Sequence, residues 1–178
     1  MSIHLERLEK VELRDFFKDE ARDFTPWLAE ENNLELLGET LGLDIELEDT
    51  EVRIGKFSAD IVGLDRSSNR TIIIENQLEK TNHDHLGKII TYGGGKDAGI
   101  VIWICKKIQQ EHRKGLDYLN DISTEDYSFF GIEMELWRIG QSTPAPKFNI
   151  VVSPNEWSKS VKSATSTTRT LTDTKILQ

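Results

Sequence analysis

Apolar residues over positions 26–41 recur at helical spacing, with Leu34, Leu37 and Leu41 on one stripe. Thr25-Pro26 supplies an N-cap followed by proline at the first helical position. Gly42 ends that run, and the Asn32-Asn33 pair favours a division into two shorter helices, because asparagine prefers caps and turns to helix interiors. After Gly42 the period falls to two. Ile45, Leu47, Val52 and Ile54 alternate with polar residues around a turn over 48–51, and 57–64 and 71–77 read as two more strands joined by Arg66-Ser67-Ser68-Asn69-Arg70. Positions 82–92 return to helical spacing, capped by Asn82 and stopped by Gly93-Gly94-Gly95. A continuous apolar run over 98–105 is of the buried-strand type; 109–119 reads as another helix, and 130–139 and 148–152 as late strands. The order helix, three-strand meander, helix, strand predicts an α/β or α+β fold with a mixed central sheet.

The 178 residues suit one globular unit with additions at both ends. Positions 1–25 are expected as an N-terminal extension, 26–157 as the main domain, and 158–178 as a Ser/Thr-rich linker or tail without aromatic residues. Cys105 is the single cysteine, with neither a disulfide partner nor a second thiolate for a metal site. No apolar run is long enough to cross a membrane and the charged N-terminus has no secretory h-region, so a cytoplasmic, reducing setting is expected.

A net charge of −9 argues at first against nucleic acid, but the charge is unevenly spread. The first 51 residues hold 16 acidic and 5 basic side chains, which leaves the remainder slightly positive. A basic segment over 80–118 carries Lys80, Lys88, Lys96, Lys106, Lys107, Arg113 and Lys114. It directly follows Ile72-Ile73-Ile74-Glu75-Asn76-Gln77-Leu78, where a strand-like run ends in a carboxylate and two amides.

If 57–64 and 71–77 form a hairpin, a two- or four-residue loop pairs residues whose numbers add to 135. Asp60 then faces Glu75, with Cβ atoms about 4.5–5.5 Å apart. A three-residue loop would shift the register by one and separate them. Paired, the two carboxylates cradle a hard divalent cation, and Gln77 lies on the same face by strand alternation.

Asp60, then Glu75-x-Gln77 on the following strand, resembles the active-site signature of the PD-(D/E)XK nuclease superfamily, and the element order over about 26–105 looks like its restriction-endonuclease-like core. More narrowly, SADIVGLD, IIIENQLEKTNHDHLGKIITY, VIWI and EHRKGLDYLN look like a group of uncharacterised prokaryotic proteins in which a nuclease-like domain precedes a second domain of unknown function. There the segment similar to LTDTKILQ leads into that second domain. The resemblance implies a DNA nuclease using Mg²⁺ or Mn²⁺, in restriction, defence or DNA processing, with a homodimer as one arrangement. It implies metal ligation by Asp60, Glu75 and the Asn76 carbonyl, with Glu39 as an additional acid. Ala59 stands where the signature has proline, and Gln77 stands at the lysine position, which removes a cation from the reacting phosphate. Lys88 is the expected replacement, because Lys88 and Tyr92 share a helix face at i, i+4 and resemble the superfamily's Q-x-x-x-Y helix motif. Lys80, expected in the loop before that helix, is the next candidate. Lys80, His85 and Tyr92 are the expected substrate contacts. A catalytically silent nuclease-fold module that binds nucleic acid or a protein is the alternative.

His83 and His85 flank Asp84, but residues two apart on a helix do not face each other, so at most one histidine points at the site; His85 is expected there. The three glycines follow a helix and match no phosphate-binding loop. Trp103, Trp137 and Trp157 are expected as packing residues.

Overall fold

The computed structural model describes residues 3–95 and 98–155. The expected linker over 158–178, Lys96 and Trp157 lie outside them. Seven strands form one sheet: β1 (Leu8–Val11), β2 (Ile45–Ile54), β3 (Phe57–Asp65), β4 (Arg70–Lys80), β5 (Ile100–Lys107), β6 (Ser128–Ile139) and β7 (Ala145–Val152). The helices are α1 (Leu13–Phe16), α2 (Thr25–Leu28), α3 (Glu31–Leu41), α4 (His83–Gly95) and α5 (Gln110–Ile122), and a π-helical turn covers Glu20–Phe24. The fold is α+β. β2, β3 and β4 form an antiparallel meander, and β4, β5 and β6 run parallel, so the sheet is mixed as expected.

β6 is bonded to three strands, and a strand has two edges. Its residues 128–133 face β5 and 136–139 face β1, in tandem along one edge, while β7 runs antiparallel along the other. Within the first 25 positions, Leu8–Val11 thereby belong to the sheet and Leu13, Phe17 and Phe24 to the core. Leu13, Phe17 and Phe24 pack with α2 and α3 over Ile61, Ile72, Ile74, Ile102 and Ile132. The opposite sheet face, with Val62, Ile73, Val101 and Trp103, is covered by Ile89 and Tyr92 of α4 and Leu116 of α5.

The β3–β4 hairpin has the register that a four-residue loop dictates: Ile61 pairs Ile74, Val62 pairs Ile73, and Asp65 pairs Arg70. The Asp65 carboxylate fixes the loop by accepting hydrogen bonds from the hydroxyls and backbone N–H groups of Ser67 and Ser68. Burial alone would raise the Asp65 carboxyl, but these bonds and the Asp44 N–H hold it below the ordinary range.

Four local expectations are corrected. Thr25 lies inside a helical turn with its side chain buried, because the π-helical turn has already started the helix. The break before α3 falls at Ala29 and Glu30, whereas Asn33 lies within α3 and donates its amide to the Trp27 carbonyl. β2 is continuous, since the expected turn over 48–51 is a bulge between Leu47 and Asp49 and a positive φ at Glu51. The glycines at 93–95 continue α4; a Cβ on Gly93 would stand 3.3 Å from the Phe129 ring, so the missing side chain lets helix and sheet approach.

Candidate functional site

The paired register of the hairpin ends at Ile61 and Ile74, and Asp60 and Glu75 are the next residues along β3 and β4, Glu75 standing midway along β4. Asp60 accepts a hydrogen bond from the Asn76 N–H at 2.6 Å. Glu75 is fully buried. One of its oxygens accepts from Lys88 Nζ at 2.6 Å and the other from the Tyr92 hydroxyl at 3.1 Å. Tyr92 also lies 2.8 Å from the Ser58 carbonyl oxygen, which ties α4 to β3 as well as β4. Lys88 and Tyr92 reach one carboxylate because they are four apart on α4, whose N-terminus is capped by Asn82 accepting from the His85 N–H at 3.0 Å.

The electrostatics follow from burying two acids beside one base. Desolvation and then the charge of Glu75 push the Asp60 carboxyl up to about 7. Burial also raises Glu75; the bond and charge of Lys88 and the Tyr92 bond oppose this, and the charge of Glu20 adds to it. Lys88 is raised because the bond and charge of Glu75 outweigh its own burial. Burial, with the Glu75 charge, carries the Tyr92 phenol far above its usual range. His85 Nε2 lies 3.6 Å from Glu75, but burial and Lys88 push the imidazole down to about 4. At neutral pH this is a neutral ring beside a carboxylate, stacked on Trp103 at 6.3 Å between centroids, not an ion pair.

Asp60, Glu75, Lys88, Tyr92 and His85 are thus brought together. Asn76 and Gln77 follow Glu75 along β4 but spend their side chains elsewhere. Asn76 donates to the Thr25 hydroxyl at 3.0 Å and Gln77 to the Lys80 carbonyl at 2.9 Å, leaving the amide oxygens of both buried without a hydrogen-bond partner among the described residues. Lys80 is not in a loop; it is the exposed last residue of β4, paired with Lys107. Glu39 does not join this group. It lines a groove between α3 and β2, with Asp44 and Arg66. The acid that the sequence did not reveal is Glu20, whose carboxylate accepts from the Leu78 N–H at 2.8 Å and whose charge acts on Glu75 and Lys88. No sequence signal marks it, because the π-helical turn that aims it across to β4 is set by tertiary packing.

The two histidines of the triplet diverge as their spacing requires. His83 Nδ1 meets His112 Nε2 at 2.9 Å, and His112 Nδ1 meets the Thr81 hydroxyl at 2.7 Å. This chain, in which Thr81 and His112 are buried and His83 is exposed, joins α4, α5 and the end of β4. Among the described residues no group of three or more His, Cys, Asp or Glu side chains is disposed to hold a metal ion; the protein offers a pair of carboxylates.

No helix among the described residues is long and apolar enough to cross a membrane. No family model matches the chain, and no curated protein matches it. Among solved structures, a repair endonuclease from Pyrococcus abyssi aligns over 51% of this chain and 42% of its own, with 14% identity and a TM-score of 0.38. A structure of an EndoMS–dsDNA2 complex aligns over 59% of this chain and 45% of its own, with 15% identity and a TM-score of 0.41. The chain spans less than half the length of either, and at these scores the likeness carries no inference about what it does.

Proposed function

We propose that this chain is a divalent-metal-dependent nuclease acting on DNA, with Asp60 and Glu75 as its metal-binding carboxylates. The observation that supports it is the half-buried Asp60 beside the fully buried Glu75, two acids on neighbouring strands whose desolvation and mutual repulsion leave a deficit of positive charge. A hard cation that takes two protein oxygens, with the Asn76 carbonyl as a third, and otherwise keeps its waters suits such a donor set. Mg²⁺ or Mn²⁺ bound there supplies an acidified water and neutralises charge on a phosphate.

The remaining roles belong to the chain. Lys88 Nζ lies next to the carboxylates and provides the cation that Gln77 lacks, positioning a scissile phosphate oxygen. Tyr92 fixes the Glu75 carboxylate through its hydroxyl, so that the oxygens stay aimed when Lys88 turns to substrate. His85, neutral at physiological pH, contacts phosphate as a hydrogen-bond donor. Lys80, at the exposed end of β4, meets a phosphate further along the strand.

The silent-module reading has one observation in its favour: the Gln77 amide closes on the Lys80 carbonyl rather than on either carboxylate. Cleavage of supercoiled, linear and single-stranded DNA and of RNA, with Mg²⁺ or Mn²⁺, separates the two. The nuclease reading expects DNA cleavage that Asp60→Asn and Glu75→Gln abolish while both variants remain folded. Absence of cleavage by the wild type, with none awakened by Gln77→Lys, would replace it by the binding module.

A further inference from the structure

α3 carries Glu31, Glu35 and Glu39 at i, i+4 and i+8, a single stripe about 12 Å long. No basic residue lies in α3 to offset them, and none of the three takes part in an ion pair among the described residues. Like charges four apart destabilise a helix by about 0.2–0.5 kcal/mol per pair, so this arrangement is a standing cost to the fold. The stripe forms one wall of a groove of about 610 Å³, with β2 as the other wall. Asp44 and Glu46 add two more carboxylates, and the one cation lining the groove among the described residues, Arg66, is bonded to Asp44 at 2.6 Å. Beneath this rim the lining is apolar. It includes Leu34, Leu43, Ile45 and Leu47, and Leu47 is 40% exposed.

Such a surface repels phosphate, and the nuclease reading makes no use of it. We propose that this groove docks a basic amphipathic helix of a partner protein, with Lys or Arg at i, i+4 and i+8 against the glutamate stripe and an apolar ridge on Leu43, Ile45 and Leu47. The charge complementarity selects a cationic partner, and the apolar base beneath the carboxylates selects an amphipathic one over a uniformly basic chain. A helix suits the stripe because its own charges repeat with the same spacing as those of α3.

The test uses the full chain and a fluorescein-labelled Leu/Lys amphipathic helix of about four turns, with a peptide of the same composition in scrambled order as control, read by fluorescence polarisation. Binding near 10 µM or tighter is expected for the amphipathic peptide and at least tenfold weaker binding for the scrambled one. Glu35→Gln/Glu46→Gln should weaken the amphipathic peptide at least tenfold with melting temperature unchanged or raised and DNA cleavage unaltered. Leu47→Ser should weaken it without changing the groove's charge. Equal binding of both peptides, unchanged affinity in either variant, or no binding to the wild type would overturn the proposal. None of the peptide-binding outcomes depends on whether the Asp60/Glu75 site is active.

Discussion

Asp60→Asn separates charge from shape at the candidate site. An asparagine amide oxygen can keep accepting the Asn76 N–H that Asp60 accepts at 2.6 Å, while the negative charge facing Glu75 disappears. The Asp60 carboxyl is pushed up to about 7 from an ordinary 3.8, and each pH unit between those values corresponds to about 1.4 kcal/mol. Ionising Asp60 thus costs the folded chain at most about 4 kcal/mol, and about 2–3 kcal/mol once its partial exposure is allowed for. The folded state holds this proton more tightly than the unfolded chain, so its stabilising contribution is complete below about pH 4 and is lost as pH rises through 7. Asparagine has no such loss. Urea unfolding in EDTA should therefore find the variant more stable than wild type at pH 8, with the gain at pH 8 exceeding that at pH 5 by about 1–2 kcal/mol. The extra rise in Tm would be roughly 2–8 °C. Mn²⁺ should then raise the Tm of the wild type more than that of the variant. An equal gain at both pH values, or a loss at pH 8, would refute the picture of two carboxylates in mutual repulsion.

Lys88→Met leaves Glu75 buried without its cation and should lower stability in EDTA by about 3–5 kcal/mol, with part of the loss recovered on adding Mn²⁺; an unchanged Tm would show that the ion pair contributes nothing. Tyr92→Phe removes the hydroxyl that bridges Glu75 and the Ser58 carbonyl and should cost about 1–2 kcal/mol in urea unfolding. Phe24→Ala should cost about 3–5 kcal/mol because the ring is buried among α2, Phe17 and Trp27, whereas a dispensable N-terminal extension would lose almost nothing.

The part of the fold that was legible in the sequence is the part that local rules control. The Arg66–Asn69 turn with its asparagine at positive φ set a loop length, and loop length set the register that brings Asp60 toward Glu75. Helical spacing placed Lys88 and Tyr92 on one face, and the same rule parted His83 from His85. Contacts between distant segments were illegible. Glu20 reaches β4 across a sequence separation of 58, and nothing in its neighbours announces it. Glu39 has the right residue type on an early helix, but its direction depends on how α3 packs, and that turns it to the β2 groove. Gly93 reads as a stop because glycine weakens helices; here the ring of Phe129 occupies the space a side chain would need.

The tandem edge of β6 also constrains how the polypeptide is born. Leu8 pairs with Ile139, so the first strand finds its partner only after about 130 further residues have been made. At about 5–20 residues per second the ribosome takes roughly 6–25 s to deliver them. During that interval Leu13, Phe17 and Phe24 have emerged without the strand that anchors their segment. A nascent chain halted before residue 136 should expose this aromatic cluster to chaperones, and one released after residue 139 should not.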